Sequence, residues 1–424
     1  MNDIKVNGNL LLPGDAGFDA ARKPWNLAVD QPVRAVVEAA DADDVAAVVS
    51  YARLNGLAVT AQPSGHGASG DTDGTILLKT TRLGGVRVED GVAWVGAGVK
   101  WGEVLAAAGP LGLTGLAGSS PVVSVTGYTL GGGLSWFGRK YGFAADSVRA
   151  FEAVDAAGDR VRVTAESDQE LFWGLRGGGG DFALVTSLEF GLHPAPELFG
   201  GRMMWPVERA REVFDAFAET TAEAPEELTL WFDLLKFPGA PVGYVAVDVT
   251  FLGEHPGALL RRFDRIGGLI SDTRRPTPVA ELGSICAEPT DPSPGSGRFE
   301  LLTGLEGVAD VLLGAPIDPL ISVQVRHLGG ALARPAEGGG AVGHLAEPYS
   351  VYMFGRPSPD TAERVTDLTK ALVPHTSGRK TYTMLTQGER AASAFPASTL
   401  ARLRDLKRAR DPYGVIRANF PVLG

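Results

Sequence analysis

Leu57-Ala58-Val59-Thr60-Ala61-Gln62-Pro63-Ser64-Gly65-His66-Gly67-Ala68-Ser69-Gly70 decides how this chain folds. A strand-forming stretch runs without pause into a loop of glycines and small polar residues. Upstream, Val33-Arg34-Ala35-Val36-Val37-Glu38 alternates as a second strand. Between them Asp41-Ala42-Asp43-Asp44 offers a helix N-cap with acids in the first turn. Val45, Val48, Val49 and Ala52 then recur at helical spacing until Asn55-Gly56 stops the helix. The unit is β-α-β, and its second strand ends in the glycine loop.

Further short strands are expected at 76–79, 86–89 and 93–95, with a helix at 101–108. A second glycine-rich run covers Ala117-Gly118-Ser119-Ser120-Pro121 and Gly127-Tyr128-Thr129-Leu130-Gly131-Gly132-Gly133. Strands at 148–154 and 160–164 flank Ala157-Gly158-Asp159, a hairpin by turn chemistry. The third run is Gly177 to Gly180, after Leu171-Phe172-Trp173-Gly174-Leu175-Arg176 and before a strand at 183–192. Pro194-Ala195-Pro196 marks a boundary. Beyond it long strands (228–237, 242–252, 320–328, 349–354) alternate with helices (255–266, 361–373). The glycine-rich 336–343 stretch reads as a flexible surface loop, and a last helix at 398–410 precedes an extended tail.

Composition excludes whole classes. The 424 residues are 44% hydrophobic and 21% charged, ordinary for a chain that buries a sizeable core. Lys plus Arg total 39 against 50 for Asp plus Glu, a net charge of −11 that argues against a nucleic-acid partner. No apolar run is long enough to span a membrane. Met1-Asn2-Asp3-Ile4-Lys5 lacks the basic flank and apolar core of a secretion signal, so a cytoplasmic protein is expected. Cys286 is the only cysteine, which removes intramolecular disulfides and thiolate zinc sites. Glycine (56) and proline (28) make about a fifth of the chain, pointing to tight turns and close backbone approaches.

Common catalytic motifs are missing. The run Gly133 to Gly138 continues Arg139-Lys140-Tyr141, without the lysine and hydroxyl of a P-loop. There is no His-Glu-x-x-His, and six scattered histidines do not make a metal cluster, so no metal is expected. No Gly-x-Ser-x-Gly occurs. Gly96-Ala97-Gly98 lacks the third glycine of a Rossmann fingerprint. What remains is three glycine runs in one lobe. Each alone reads as a tight turn; together they suit a large dinucleotide, whose pyrophosphate takes backbone N–H groups and whose flat ring lies against the main chain. His66, between Gly65 and Gly67, is either a structural histidine or one exposed to contact with, or alkylation by, a ligand.

Taken together, Pro63-Ser64-Gly65-His66-Gly67, Ala117 to Pro121 with Gly127 and Gly131 to Gly133, Arg139-Lys140-Tyr141-Gly142, and Asp168 to Trp173 with Arg176 and Gly177 to Gly180 closely resemble the berberine-bridge-enzyme-like branch of the FAD-linked oxidases. That branch belongs to the vanillyl-alcohol-oxidase (PCMH-type) flavoprotein superfamily. Arg326-His327-Leu328-Gly329-Gly330 and the closing Asp411-Pro412-Tyr413-Gly414, Ile416-Arg417 and Asn419 agree with it, so the resemblance runs from about residue 30 to the end.

The resemblance implies an α+β fold. A two-subdomain PCMH-type FAD-binding lobe (31–196) would follow a lead-in (1–30). An α/β substrate lobe (197–395), an antiparallel sheet covered by helices, would roof the flavin ring, and a helix and tail (396–424) would return to the flavin lobe. It implies FAD, with the pyrophosphate on the loop Pro63, Ser64, Gly65, His66, Gly67, Ala68. Gly118, Ser119, Ser120, Val125, Gly127, Tyr128, Gly131, Gly132 and Val185 would border the cofactor, and the tail would bring Asn419 and Arg417 near it. His66 stands at the family's flavin-attachment position; Ser120 replaces the cysteine that makes a second link in many members, and Cys286 is remote in sequence, so one 8α-histidyl bond is expected. Ser64 replaces the family's first loop glycine. Tyr382 keeps the tyrosine of the family's Tyr-x-Asn, while Met384 replaces the asparagine. Tyr382, Tyr128, Tyr352 and His327 are the candidate catalytic residues, because removing an O–H or N–H proton while hydride leaves carbon needs a positioned base. The expected function is hydride transfer from a small-molecule alcohol or amine to FAD, with O₂ as acceptor, in secondary metabolism. A dehydrogenase with another acceptor and a flavin-retaining non-oxidative enzyme are the alternatives. Substrate identity and oligomeric state stay open.

Overall fold

The computed structural model describes residues 1 and 4–424. Its first sheet grows from the β-α-β unit. Ala35–Glu38 and Val59–Gln62 both pair in parallel with Ile76–Lys79, and the helix Ala42–Leu54 crosses between them. Asp41 caps that helix, accepting from the N–H groups of Asp43 and Asp44 at 3.0 Å. The lead-in does not stand apart: Asn9–Leu11 adds an antiparallel outer strand to this sheet. The buried Asp44 carboxylate fixes it there, accepting from the N–H of Asn7 (2.6 Å), Gly8 (2.9 Å) and Ala40 (2.7 Å).

The second sheet is antiparallel, in the order Val86–Glu89, Val92–Gly96, Leu184–Gly191, Val148–Val154, Arg160–Val163. These two sheets make the body of the expected flavin lobe. The third sheet is larger and antiparallel. Its central strands run Leu198–Pro206, Tyr244–Leu252, Leu228–Leu235, Leu320–His327, Tyr349–Gly355, Ser296–Leu302. Strand alternation splits it into two faces. Leu230, Phe232, Leu234, Val323, Val325, Val351 and Met353 pack under Phe214 and Phe217 of the helix Ala210–Glu223 and Leu368 of the helix Pro359–Leu372. The opposite face turns to the flavin lobe.

Two local expectations are corrected. The 255–266 helix starts late and is broken: Gly257 (φ 55°) opens the 3₁₀ turn Gly257–Leu260 in the left-handed region, and Leu260 (φ −99°, ψ 3°) leaves helical geometry before the short helix Arg261–Asp264. The 336–343 stretch is no free loop: its end docks on the flavin lobe, Ala341 N–H donating to Trp173 O (3.0 Å) and Val342 N–H to Arg176 O (3.2 Å). That approach needs glycine, because a Cβ on Gly340 would sit 2.1 Å from Arg176 O.

The lobes are clamped by Arg139. Its buried guanidinium donates to Leu228 O (2.9 Å), Ala224 O (3.1 Å), Pro225 O (3.2 Å), His327 Nε2 (2.7 Å) and Leu328 O. Trp136 of the flavin lobe stacks on Trp231 of the third sheet, centroids 3.5 Å apart. The tail runs back along the first sheet. Ile416 bridges Val59 in parallel, and Arg417 N–H donates to Val59 O at 2.9 Å. Its anchor is Lys407 in the last helix, Ala397–Arg410, whose buried ammonium donates to Asp181 O (2.6 Å) and Asp411 Oδ2 (2.8 Å). The two carboxylates then hold the tail backbone: Asp411 accepts from Val415 and Ile416, Asp181 from Ala418 and Val422.

Replacing Lys407 by Met leaves both carboxylates buried without their cation. Urea unfolding should show a loss of about 3–5 kcal/mol, and the purified variant should be flavin-depleted. A stable variant with full colour would show that the tail is held by other means.

Candidate flavin and substrate site

A cavity of about 1140 Å³ lies between the lobes. The flavin-lobe wall comes from the 62–67 loop at the end of the parallel strand Val59–Gln62, residues 118–120, the helix Val125–Leu130 with Gly131, residues 179–185, and the tail at 417–420. The opposite wall is the free face of the third sheet: Arg202, Asp233, Leu235, Ser322, Gln324, Arg326, Tyr352, Phe354. A proline-rich strap, residues 286–295, closes one side. It is tied to the lead-in by Leu27 N–H to Ser293 O (3.2 Å) and Ser293 N–H to Trp25 O (3.2 Å).

Of the residues expected at the cofactor, Pro63, Ser64, Gly65, His66, Gly67, Gly118, Ser119, Ser120, Gly127, Tyr128, Gly131, Val185 and Asn419 line this cavity. Three do not. Val125 opens its helix with the side chain turned into the core beside Trp101 and Trp136. Gly132 (φ 104°) backs onto Val342, where a Cβ would come within 2.6 Å of Val342 Cγ2. Ala68 is buried behind the loop.

Gly65 has φ 87°, and a Cβ on it would lie 2.8 Å from Pro24 Cα and Trp25 N. The loop is pressed against the lead-in, so the restriction is backbone conformation and packing on Trp25. Trp25 also stacks on His66 at 4.4 Å with the rings 18° apart, a contact that sequence spacing does not reveal. Ser64 Oγ and His66 Nδ1 are 2.9 Å apart. Burial, aided by Lys100, pushes the imidazole pKa down to about 4, so the ring is neutral at neutral pH.

Five residues that line this cavity each hold a buried polar atom with no hydrogen-bond partner among the described residues: Trp25 Nε1, His66 Nε2, Ser120 Oγ, Thr126 Oγ1 and Tyr128 OH. Buried polar groups are normally paired. Their convergence on one cavity, with a glycine loop at a strand end, fits a large polar ligand with a flat ring.

The candidate catalytic residues separate. Tyr128, Tyr352 and Tyr382 line the cavity; His327 does not. Strand alternation puts Gln324 and Arg326 on the cavity face and His327 on the other. There it stacks on Tyr349 and accepts from Arg139 Nη1–H, and burial together with that guanidinium drives its pKa down to about 2. Tyr382 donates its hydroxyl to Phe420 O (2.9 Å), holding the tail rather than facing a substrate freely. Burial holds the Tyr128 and Tyr382 phenols well above their ordinary pKa and pushes Tyr352 up to about 12. Cys286, remote in sequence, lines the cavity at the start of the strap. Its thiol points at Asp248 Oδ2 (3.4 Å), and burial followed by that carboxylate keeps it protonated and unreactive.

Residues 33–164 match the family model described as "FAD binding domain". This stretch of the chain is an FAD binding domain. A curated relative, (R)-6-hydroxynicotine oxidase of Paenarthrobacter nicotinovorans, is 28% identical over 67% of this chain and 64% of its own length. The match thus leaves about a third of that relative uncovered. The solved 6-hydroxy-D-nicotine oxidase from Arthrobacter nicotinovorans superposes with a TM-score of 0.87, covering 99% of this chain and 98% of that one at 23% identity. A variant of berberine bridge enzyme superposes with a TM-score of 0.82 at 17% identity, over 99% of this chain and 98% of that one.

Gly65→Val should give protein without flavin absorbance, because a β-branched residue cannot take φ 87° and meets Pro24 and Trp25. Normal flavin content would contradict the loop's placement. His327→Gln should lower the melting temperature through Arg139 yet leave flavin content and turnover near wild type; a collapse of turnover at full flavin loading would return His327 to the chemistry.

Proposed function

We propose that the chain is an FAD-dependent oxidase acting on a small-molecule alcohol or amine, with O₂ as electron acceptor. The observation that carries this is the cavity whose one wall is the FAD binding domain's glycine loops and whose other wall is a sheet face bearing charged and aromatic side chains. Relatives named as oxidases support the same reaction class. Bound FAD supplies a two-electron acceptor for hydride. The chain's own contribution is to hold and enclose. Backbone N–H groups of residues 64–67 would hold the cofactor phosphates, Ser120, Thr126 and Tyr128 would give it hydrogen-bond partners, and Phe420 and Asn419 would close the wall from the tail. The sheet face orients the substrate and excludes water.

His66 would carry one covalent bond to the flavin methyl group, the new C–N bond replacing one methyl C–H and the ring N–H, with the two electrons and two protons passing finally to O₂. Three features support it: the ring is neutral, one nitrogen has no partner among the described residues, and Trp25 fixes its plane. A second bond through cysteine has no support, since Ser120 occupies that place and the Cys286 thiol is held protonated.

Purified protein should be yellow and should produce peroxide with at least one member of an alcohol and amine panel. Acid precipitation should give a yellow pellet, and His66→Ala should give a white one with the colour in the supernatant. A white wild-type pellet ends the covalent assignment. Slow reoxidation by air with no turnover would end the oxidase reading.

A further inference from the structure

The cavity's sheet face carries a carboxylate that neither the family motifs nor the tyrosines account for. Asp233 stands in Leu228–Leu235, a strand whose every residue is buried, and its side chain is 4% exposed. A carboxylate there is costly unless neighbours hold it. Ser322 Oγ donates to Oδ1 at 2.7 Å and Gln324 Nε2 to Oδ2 at 3.3 Å. Arg202 Nη2 lies 3.7 Å from Oδ2, although that guanidinium is chiefly engaged in a two-pronged pair with Asp248, at 2.6 and 2.8 Å.

The amide of Gln324 cannot be turned round. Arg326 Nε, which only donates, is 2.7 Å from Oε1, so the NH₂ end must face Asp233. Arg326 is in turn fixed over the Trp231 ring at 4.1 Å. The ladder sets Asp233, Gln324 and Tyr352 directly opposite one another on three adjacent strands, in one row across the cavity roof. Asp233 is thus a positioned acid built into the site.

Resting on the oxidase reading, we propose that Asp233 is the catalytic proton acceptor and that the substrate it selects is a neutral alcohol with an apolar body. The O–H proton passes to the Asp233 carboxylate while the adjacent C–H leaves as hydride to FAD. The C–O bond becomes C=O, so the alcohol loses two electrons and two hydrogens, which O₂ finally takes up as hydrogen peroxide. Arg202, 3.7 Å from the acid, and Arg326, on the far side of Gln324, bring positive charge to this wall and disfavour an ammonium group there. Leu235, Phe237, Ile321 and Phe354 on the same wall suit an apolar body. Burial raises the Asp233 pKa to about 7, with Asp248 adding to the rise and Arg202, Ser322 and Gln324 opposing it. Tyr352, the other titratable group in the row, and the Cys286 thiol remain protonated across the working range. Arg356 and, on the strap, Glu288 line the same cavity, and Glu288 is engaged by Ser119 Oγ at 2.7 Å. A base poised near neutrality is the one best matched to proton transfer there.

The test uses the holoenzyme with benzyl, 4-hydroxybenzyl and cinnamyl alcohols beside benzylamine, reading peroxide and kcat/KM against pH. Wild type should prefer the alcohols, with an acid limb centred at about 7. Asp233→Asn should keep wild-type flavin content, lose kcat by about 10²-fold or more and lose the acid limb. Ser322→Ala, which folds more safely, removes a hydrogen bond that favours the ionised acid, so its limb should move to higher pH. Turnover that is unchanged in Asp233→Asn, a limb that neither variant moves, or a preference for benzylamine overturns this proposal alone. No peroxide from any compound with wild type overturns the oxidase reading and this proposal with it.

Discussion

One buried cation holds the two lobes in the relation that makes the site. Among the described residues Arg139 has no carboxylate within ion-pair distance; carbonyl oxygens and one imidazole satisfy it instead. Burial lowers its pKa to about 10, which still leaves it charged at neutral pH. A guanidinium dissolved in backbone dipoles is geometrically demanding, because carbonyls from the 224–228 segment and the 328 turn must all converge on one fork. The separation of the lobes, and with it the width of the cavity, follows from that convergence. It also explains why His327 belongs to the clamp: a protonated imidazole beside Arg139 would be repelled, and the ring is kept neutral.

The third sheet divides its labour by alternation. One face is a conventional core of Phe, Val and Leu under two helices. The other carries Arg202, Asp248, Asp233, Gln324, Arg326 and Tyr352, a polar row that only a binding cavity justifies. Each of these acids and amides is oriented by a neighbour: Asp248 by Arg202, Asp233 by Ser322 and Gln324, Gln324 by Arg326. Rigidity of this kind belongs to pleated strands with fixed register rather than to loops.

Much of the fold was legible in the residues themselves. The strands Ile76–Lys79 and Val148–Val154 and the helix Trp101–Ala108 have the boundaries their periodicity suggests, because local pattern and tertiary burial agree there, and the β-α-β unit is present with each strand starting two residues later than its pattern, at Ala35 and Val59. The glycine loops were legible as a group, since three backbone approaches in one lobe have few other uses. The phase of alternation was not. Nothing in Gln324-Val325-Arg326-His327 says which pair of side chains faces the flavin lobe, so His327 and Tyr352 looked equivalent until the register was known. Asp233 carried a signal, an acid inside Leu-Thr-Leu-Trp-Phe-Asp-Leu-Leu, that marks a buried polar residue without saying what it meets. Trp25 on His66 and the strap on Trp25 join segments far apart in the chain, and no local pattern encodes them.

The cavity wall draws on residues 25, 66, 120, 202, 286, 352, 384 and 420, so no fragment of the chain contains it. Its existence is therefore a property of the native state alone, and any ligand that pairs its orphaned polar atoms binds the folded form and not the unfolded chain. By mass action such a ligand adds RT ln(1 + [L]/Kd) to stability, about 4 kcal/mol at a thousandfold excess over Kd. Cofactor supply in the cell then sets how much of this protein survives proteolysis, and a covalent attachment would free that survival from the concentration of free flavin.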